Sequence, residues 1–165
     1  MIRQANLNDS AAMAQIYNPF ILDTCITFEV DPVDAAEMTR RMGDVAAASL
    51  PWLVVEQDGK MAGYCYAHPW MERAAYQHTV ESTIYLAPEF QRRGLGRQLY
   101  RALLAELKKR PVHAVISIIA LPNPASVGLH ESLGFEKVAH FREVGRKFEG
   151  WIDVGYWQLM MEEWS

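Results

Sequence analysis

Apolar and polar residues recur along this chain with two different periods, and the switches between them outline its elements. Ile2 to Ala5 has the spacing of a short strand. Asp9 or Ser10 suits the cap of a helix carrying Met13, Ile16 and Tyr17 on one face, and Pro19 is expected to stop it. Asn18 to Phe28 reads as irregular, with a β-type stretch around Cys25 to Phe28. Asp31-Pro32 opens a second helix, about Val33 to Ala47, with Met38, Met42 and Val45 at core spacing. Strands Trp52 to Glu56 and Met61 to Ala67 flank Asp58-Gly59, a pair suited to a tight hairpin turn. A loop from His68 to Gln77 then leads to strand Thr79 to Leu86.

The second half continues the alternation. A helix from Gly94 to Lys109 sets Leu95, Leu99, Leu103 and Leu107 in an i+4 row facing a core. Val112 to Ala120 reads as an apolar strand, as one covered on both faces would be. Asn123-Pro124 starts another helix, which runs through Leu133 and ends at Gly134. Phe135 to Arg142 and Trp151 to Met161 read as two long strands joined by a polar, Gly-containing loop. Helices alternating with a mixed sheet predict an α/β (α+β layered) fold. No repeat or linker divides the chain, so a single domain over residues 1–165 is expected.

Composition narrows the class. The chain has 165 residues, half of them hydrophobic, with a net charge of −4. That is globular composition with an acidic balance, which argues against a nucleic-acid partner. The basic run Lys108-Lys109-Arg110 complements the end of a helix dipole. Cys25 and Cys65 lack metal-ligand spacing and read as free thiols, so no metal is expected. Without an apolar signal core or an apolar run near the ~20 residues of a membrane helix, a cytoplasmic protein with no membrane partner is expected.

Gln91-Arg92-Arg93-Gly94-Leu95-Gly96 carries the first chemistry. It lies between a strand and a helix, where glycines let backbone amides approach a ligand and the helix N-terminus favours an anion. A P-loop would need Gly-x4-Gly-Lys-Ser/Thr, which is absent. A dinucleotide fingerprint would need a third Gly where Leu99 stands. The pattern Gln-x-x-Gly-x-Gly, followed by Asn123-Pro124-Ala125-Ser126 and Gly134-Phe135, instead resembles the Gcn5-related N-acetyltransferase superfamily. Ile16-Tyr17-Asn18, Thr79 to Leu86, Leu129 to Phe135, Val144 to Phe148, Trp151 to Val154 and Trp157-Gln158-Leu159 extend the resemblance to the phosphinothricin N-acetyltransferase family.

The resemblance implies the acetyltransferase fold, a mostly antiparallel sheet splayed between its fourth and fifth strands with helices on both faces. It implies acetyl-CoA as cosubstrate, held by Ile84, Tyr85, Leu86, Gln91, Arg92, Arg93, Gly94, Leu95, Gly96, Arg97, Asn123 and Ser126. It also implies acetylation of the α-amino group of a small amino acid of the phosphinothricin, methionine sulfoximine or methionine sulfone type. The other readings are an acetyltransferase for protein N-termini or other amines, and a non-catalytic acyl-CoA-binding module.

Alternation on Thr79 to Leu86 puts Val80, Ser82, Ile84 and Leu86 on one face and Glu81, Thr83 and Tyr85 on the other. A carboxylate inside an otherwise uncharged strand needs an explanation, and Glu81 is expected to be the general base. His130 stands on the late helix where many members of the superfamily carry a Tyr; it could protonate the leaving sulfur or assist the base, or be a structural histidine. Arg73, Tyr76 and Thr79, which precede Glu81, are expected to contact the acceptor, with Phe28 and Val154 as walls. His68, Trp70 and His78 are read mainly as core or surface residues. The aromatic C-terminal strand (Trp151, Tyr156, Trp157) would serve a homodimer contact or a core.

Overall fold

In the computed structural model, seven strands form one sheet in the order β1-β2-β3-β4-β5-β7-β6. The structure describes residues 1–161, so the last four residues of the expected domain lie outside it. The strands are β1 (Ile2–Gln4), β2 (Trp52–Gln57), β3 (Lys60–Pro69), β4 (Thr79–Leu86), β5 (Ala114–Leu121), β6 (Glu136–Lys147) and β7 (Gly150–Met160). All neighbours are antiparallel except β4 and β5. The β2–β3 turn is made by Asp58 and Gly59, both at positive φ, as an Asp-Gly hairpin requires.

The parallel β4–β5 pair is short. It joins Thr79 to Ala114, Val80 to Val115 and Glu81 to Ile116, and beyond that point the two strands part. Ser82 to Leu86 keep their β3 partners on one side and have no β5 partner on the other. The splay expected between the fourth and fifth strands is therefore present, with Glu81 beside its apex.

Four helices cover the sheet: α1 (Ser10–Asp23), α2 (Ala35–Ala47), α3 (Leu95–Lys108) and α4 (Pro124–Ser132). Tyr17 and Phe20 of α1 pack on Tyr85, whereas Tyr100 of α3 meets Ser82 on the opposite face of β4. Helices thus lie on both faces. Leu99, Leu103 and Leu107 are fully buried, as the i+4 row predicts, while Leu95 is only partly covered.

Three local expectations change. Pro19 does not end α1, which continues to Asp23 because Phe20 and Ile21 are buried in the core and outweigh the lost backbone bond. Cys25 to Phe28 forms no strand; it belongs to a loop tied down by side chains. The polar loop after Arg142 is instead strand: β6 absorbs a bulge between Phe141 and Gly145, then turns at Phe148 and Glu149, both left-handed.

Candidate active site

Where β4 and β5 part they open a cleft of about 260 Å³. Glu81 to Tyr85 form one wall and Ser117 to Ala120 the other. Ile26, Thr27 and Phe28 close one side; Asn123, Ser126, His130 and Val154 close another. The topology thus brings together residues from distant parts of the chain: Glu81, Ile84, Tyr85, Asn123, Ser126, His130, Phe28 and Val154.

Glu81 projects from β4 toward the α1 face, with its side chain 22% exposed. Burial raises its carboxyl above the ordinary value of 4.5, and His68 partly opposes that rise. His68 is its cross-strand partner on β3, with Nε2 3.7 Å from Glu81 Oε2. A half-buried carboxylate whose pKa is raised by burial is a better proton acceptor than an exposed glutamate, as a general base requires.

His130 is 2% exposed, and both of its nitrogens are engaged. Nδ1 lies 2.7 Å from the Ser126 carbonyl of its own helix. A carbonyl only accepts, so Nδ1 carries the hydrogen and Nε2 accepts from the Ser117 hydroxyl at 2.7 Å. Burial lowers the imidazole below its usual value, which keeps it neutral. Asn123 caps α4 by accepting from the Ser126 amide at 3.2 Å.

The loop forming the Ile26–Phe28 wall is pinned at several points. The Tyr17 hydroxyl bonds the Glu29 carboxylate and lies 2.7 Å from Thr27 Oγ1. Arg41 of α2 reaches both Glu29 oxygens, at 2.9 and 2.5 Å, and holds that carboxyl below its ordinary range. Buried Lys147 donates to the Thr27 carbonyl at 2.8 Å. Phe28 rests directly on Gly145, where a Cβ would overlap its ring.

Beyond the open end of β4 lies the glycine turn. Arg92 and Gly94 have φ of 60° and 78°, and Gly94 precedes α3 without a side-chain cap. The first intrahelical bond runs from Gln98 N–H to the Gly94 carbonyl, so the amides of Leu95, Gly96 and Arg97 have no partner within the helix. Gly96 is buried, and a Cβ there would come 3.1 Å from Leu86 Cδ1. Gln91 donates to the Leu86 carbonyl at 3.3 Å, bracing the turn to β4. Arg92, Arg93 and Arg97 are exposed, with Arg93 over the Phe90 ring. Free amides at a helix start, in line with an unpaired strand edge at Ile84 to Leu86, fit a pyrophosphate joined to an extended amide chain.

The model of the acetyltransferase (GNAT) family matches residues 13–135. The chain belongs to the GNAT acetyltransferase family. It is 41% identical to a phosphinothricin N-acetyltransferase of Streptomyces viridochromogenes, over 98% of this chain and 87% of that protein. It is 34% identical to an L-methionine sulfoximine/L-methionine sulfone acetyltransferase of Salmonella typhimurium, over 98% of this chain and 95% of the relative. A putative acetyltransferase of Salmonella typhimurium, solved with acetyl-CoA, superposes with a TM-score of 0.96 at 33% identity. That match covers 100% of this chain and 95% of the other.

Three expected acceptor contacts of this GNAT domain lie outside the cleft lining. Arg73 is exposed at the start of a single 3-10 turn, and Tyr76 is 40% exposed with its ring edge-on to Trp70. Thr79 begins β4, paired with Ala114. They border the Glu81 end of the β3–β4 hairpin, where the Trp70 amide bonds the Thr79 carbonyl. From sequence alone Thr27, Ser117 and Gly145 have no role in the site, and His68 reads mainly as a core or surface residue. Ser117 had a signal, being the one hydroxyl inside the apolar run from Val115 to Ile119.

Proposed function

We propose that this GNAT enzyme transfers the acetyl group of acetyl-CoA to the α-amino group of a small amino acid or analogue of the phosphinothricin, methionine sulfoximine or methionine sulfone type. The observation that carries this reading is the parting of β4 and β5 immediately after Glu81 and Ile116, which sets a raised carboxylate at the apex of a cleft between two strand edges.

Acetyl-CoA supplies a thioester carbonyl already activated toward an amine. The amides of Leu95, Gly96 and Arg97 bind its pyrophosphate, aided by Arg92, Arg93 and Arg97, while Gln91 and Gly94 hold the turn in shape. The free edge of Ile84, Tyr85 and Leu86 pairs with the pantetheine amides, and a main-chain N–H near Tyr85 polarises the carbonyl. Asn123 and Ser126 contact the same arm from α4. Glu81 takes a proton from the incoming ammonium, directly or through one water. Phe28 and Val154 wall the acceptor, and Arg73, Tyr76 and Thr79 receive its carboxylate at the mouth.

The test is a panel of amino acids, sulfoximine and sulfone analogues, and short peptides, each incubated with acetyl-CoA while free thiol is followed. Thiol release with α-amino acids and analogues is expected. Release with peptides alone moves the enzyme to protein N-termini, and release with no amine leaves an acyl-CoA-binding module.

No described helix is long and apolar enough to cross a membrane. We place the enzyme in the cytoplasm because Cys25 and Cys65 are both free thiols. A homodimer is supported by exposed Phe141, Val144, Phe148 and Trp151 on the β6–β7 hairpin. Trp157, by contrast, is core. Sedimentation at micromolar concentration decides the assembly state.

A further inference from the structure

Ser117 sits one residue past Ile116, the last β5 residue paired with β4. It is 3% exposed, lines the cleft, and occupies the only nitrogen of His130 that is not committed to α4. The Tyr100 hydroxyl, buried in α3, pairs with Ser82 across the splay and also interacts with Ser117. A hydroxyl held this way, in the cleft lining with an imidazole lone pair behind it, can receive one proton and pass on another in a single event.

We propose that Ser117 is a catalytic residue of the transfer, and that His130 acts only through it as the proton store. The proposal rests on the acetyltransferase reading and adds a second proton path to it. An ammonium sheds two protons on becoming an amide, and Glu81 takes the first. As the C–N bond forms, Ser117 Oγ accepts the second from the nitrogen while its own hydroxyl proton moves to His130 Nε2. The imidazolium so formed keeps its Nδ1 hydrogen on the Ser126 carbonyl. As the C–S bond breaks, the shift reverses: Nε2 returns a proton to Ser117 Oγ, which gives its own to the departing sulfur. Ser117 and His130 end as they began, and the proton on Glu81 goes to solvent, which balances the reaction.

Burial holds the His130 imidazolium acidic, which suits donation to a thiolate of ordinary basicity near 8.5. Tyr100, which also interacts with Ser117, steadies the serine during both moves.

The test compares Ser117→Thr with Ser117→Val, nearly equal in shape but differing by the hydroxyl. Thr is expected to keep kcat within ~10-fold of the parent. Val is expected to lose ~10²-fold or more while KM for acetyl-CoA changes little. Ser117→Ala replaces the pair if the added methyl group prevents folding. Imidazole nitrogen resonances of the ligand-free protein give an independent readout. Nδ1 of His130 should be protonated and Nε2 should show an accepted hydrogen bond that vanishes in the Val or Ala variant. Equal turnover for Thr and Val, or a hydrogen found on Nε2 at neutral pH, overturns the proposal. A parent that acetylates no amine overturns the function instead, and the resonance measurement then decides the Ser117–His130 pairing alone.

Discussion

His68 and Glu81 face each other across the β3–β4 pair, with imidazole Nε2 3.7 Å from carboxylate Oε2. The contact is long for a hydrogen bond, and its effect is that of a charge placed beside a buried acid. Exchanging Glu81 for Gln removes the acid but keeps its shape. Turnover should fall ~10²–10⁴-fold with acetyl-CoA binding largely retained. Steady-state kinetics and calorimetry check both parts; equal rates across the neutral range would remove Glu81 from the reaction.

The pH response has a definite sign. Burial raises the Glu81 carboxyl above 4.5, so the charged base appears at higher pH than for an exposed glutamate. The value of kcat should rise with pH through that raised pKa, and Glu81→Gln should lose this limb. Ionised Glu81 also costs stability, and that cost grows as pH climbs from the unfolded to the folded value. Kinetic profiles and denaturation midpoints across the acid range read the two effects separately.

Replacing His68 with Ala removes the imidazole that opposes the rise. The acid limb of kcat should move to still higher pH, while the limiting rate at alkaline pH changes by less than ~10-fold. An unmoved limb would mean that the imidazole does not influence the acid.

At the glycine turn the expected losses have different origins. Gly94→Ala meets nothing closer than Gln98 Nε2 at 4.0 Å, but it must hold a φ of 78°. A cost of ~1–2 kcal/mol is expected there. Gly96→Ala keeps an ordinary backbone but pushes on Leu86, at the end of the free strand edge. Its KM for acetyl-CoA should rise ~10-fold, with a smaller fall in melting temperature than for Gly94→Ala.

Gly145→Ala tests the acceptor wall. The new methyl group displaces the Phe28 ring, which is half exposed and can swing at a cost of ~1 kcal/mol. KM for the amino acid should change several-fold while KM for acetyl-CoA stays near the parent value. Parallel changes in both would mean a general loss of structure.

Much of this was legible from residue pattern because it depends on neighbours in sequence. β4 runs from Thr79 to Leu86 as its alternation predicts, and Asn123 and Gly94 stand at the helix starts they were expected to make. What depended on distant neighbours was not legible. Pro19 reads as a stop until Phe20 is seen against Tyr85. His68 gains meaning only from the β3–β4 register, and Ser117 only from a helix that follows it in the chain. Gly145 looks like an ordinary loop glycine until Phe28, more than a hundred positions earlier, is found lying on it.

Three residue pairs are all that join β4 to β5 within the sheet. Strands β1 to β4 form one plate and β5 to β7 another, so the seam is where exchange of buried amides with solvent should begin. A ligand lying along Ile84 to Leu86 supplies the missing rungs. At a hundred times its dissociation constant it would add ~2.7 kcal/mol to the folded state. Acetyl-CoA would then be mortar as well as reagent, and the lifetime of this protein in a cell would follow the supply of its own cosubstrate.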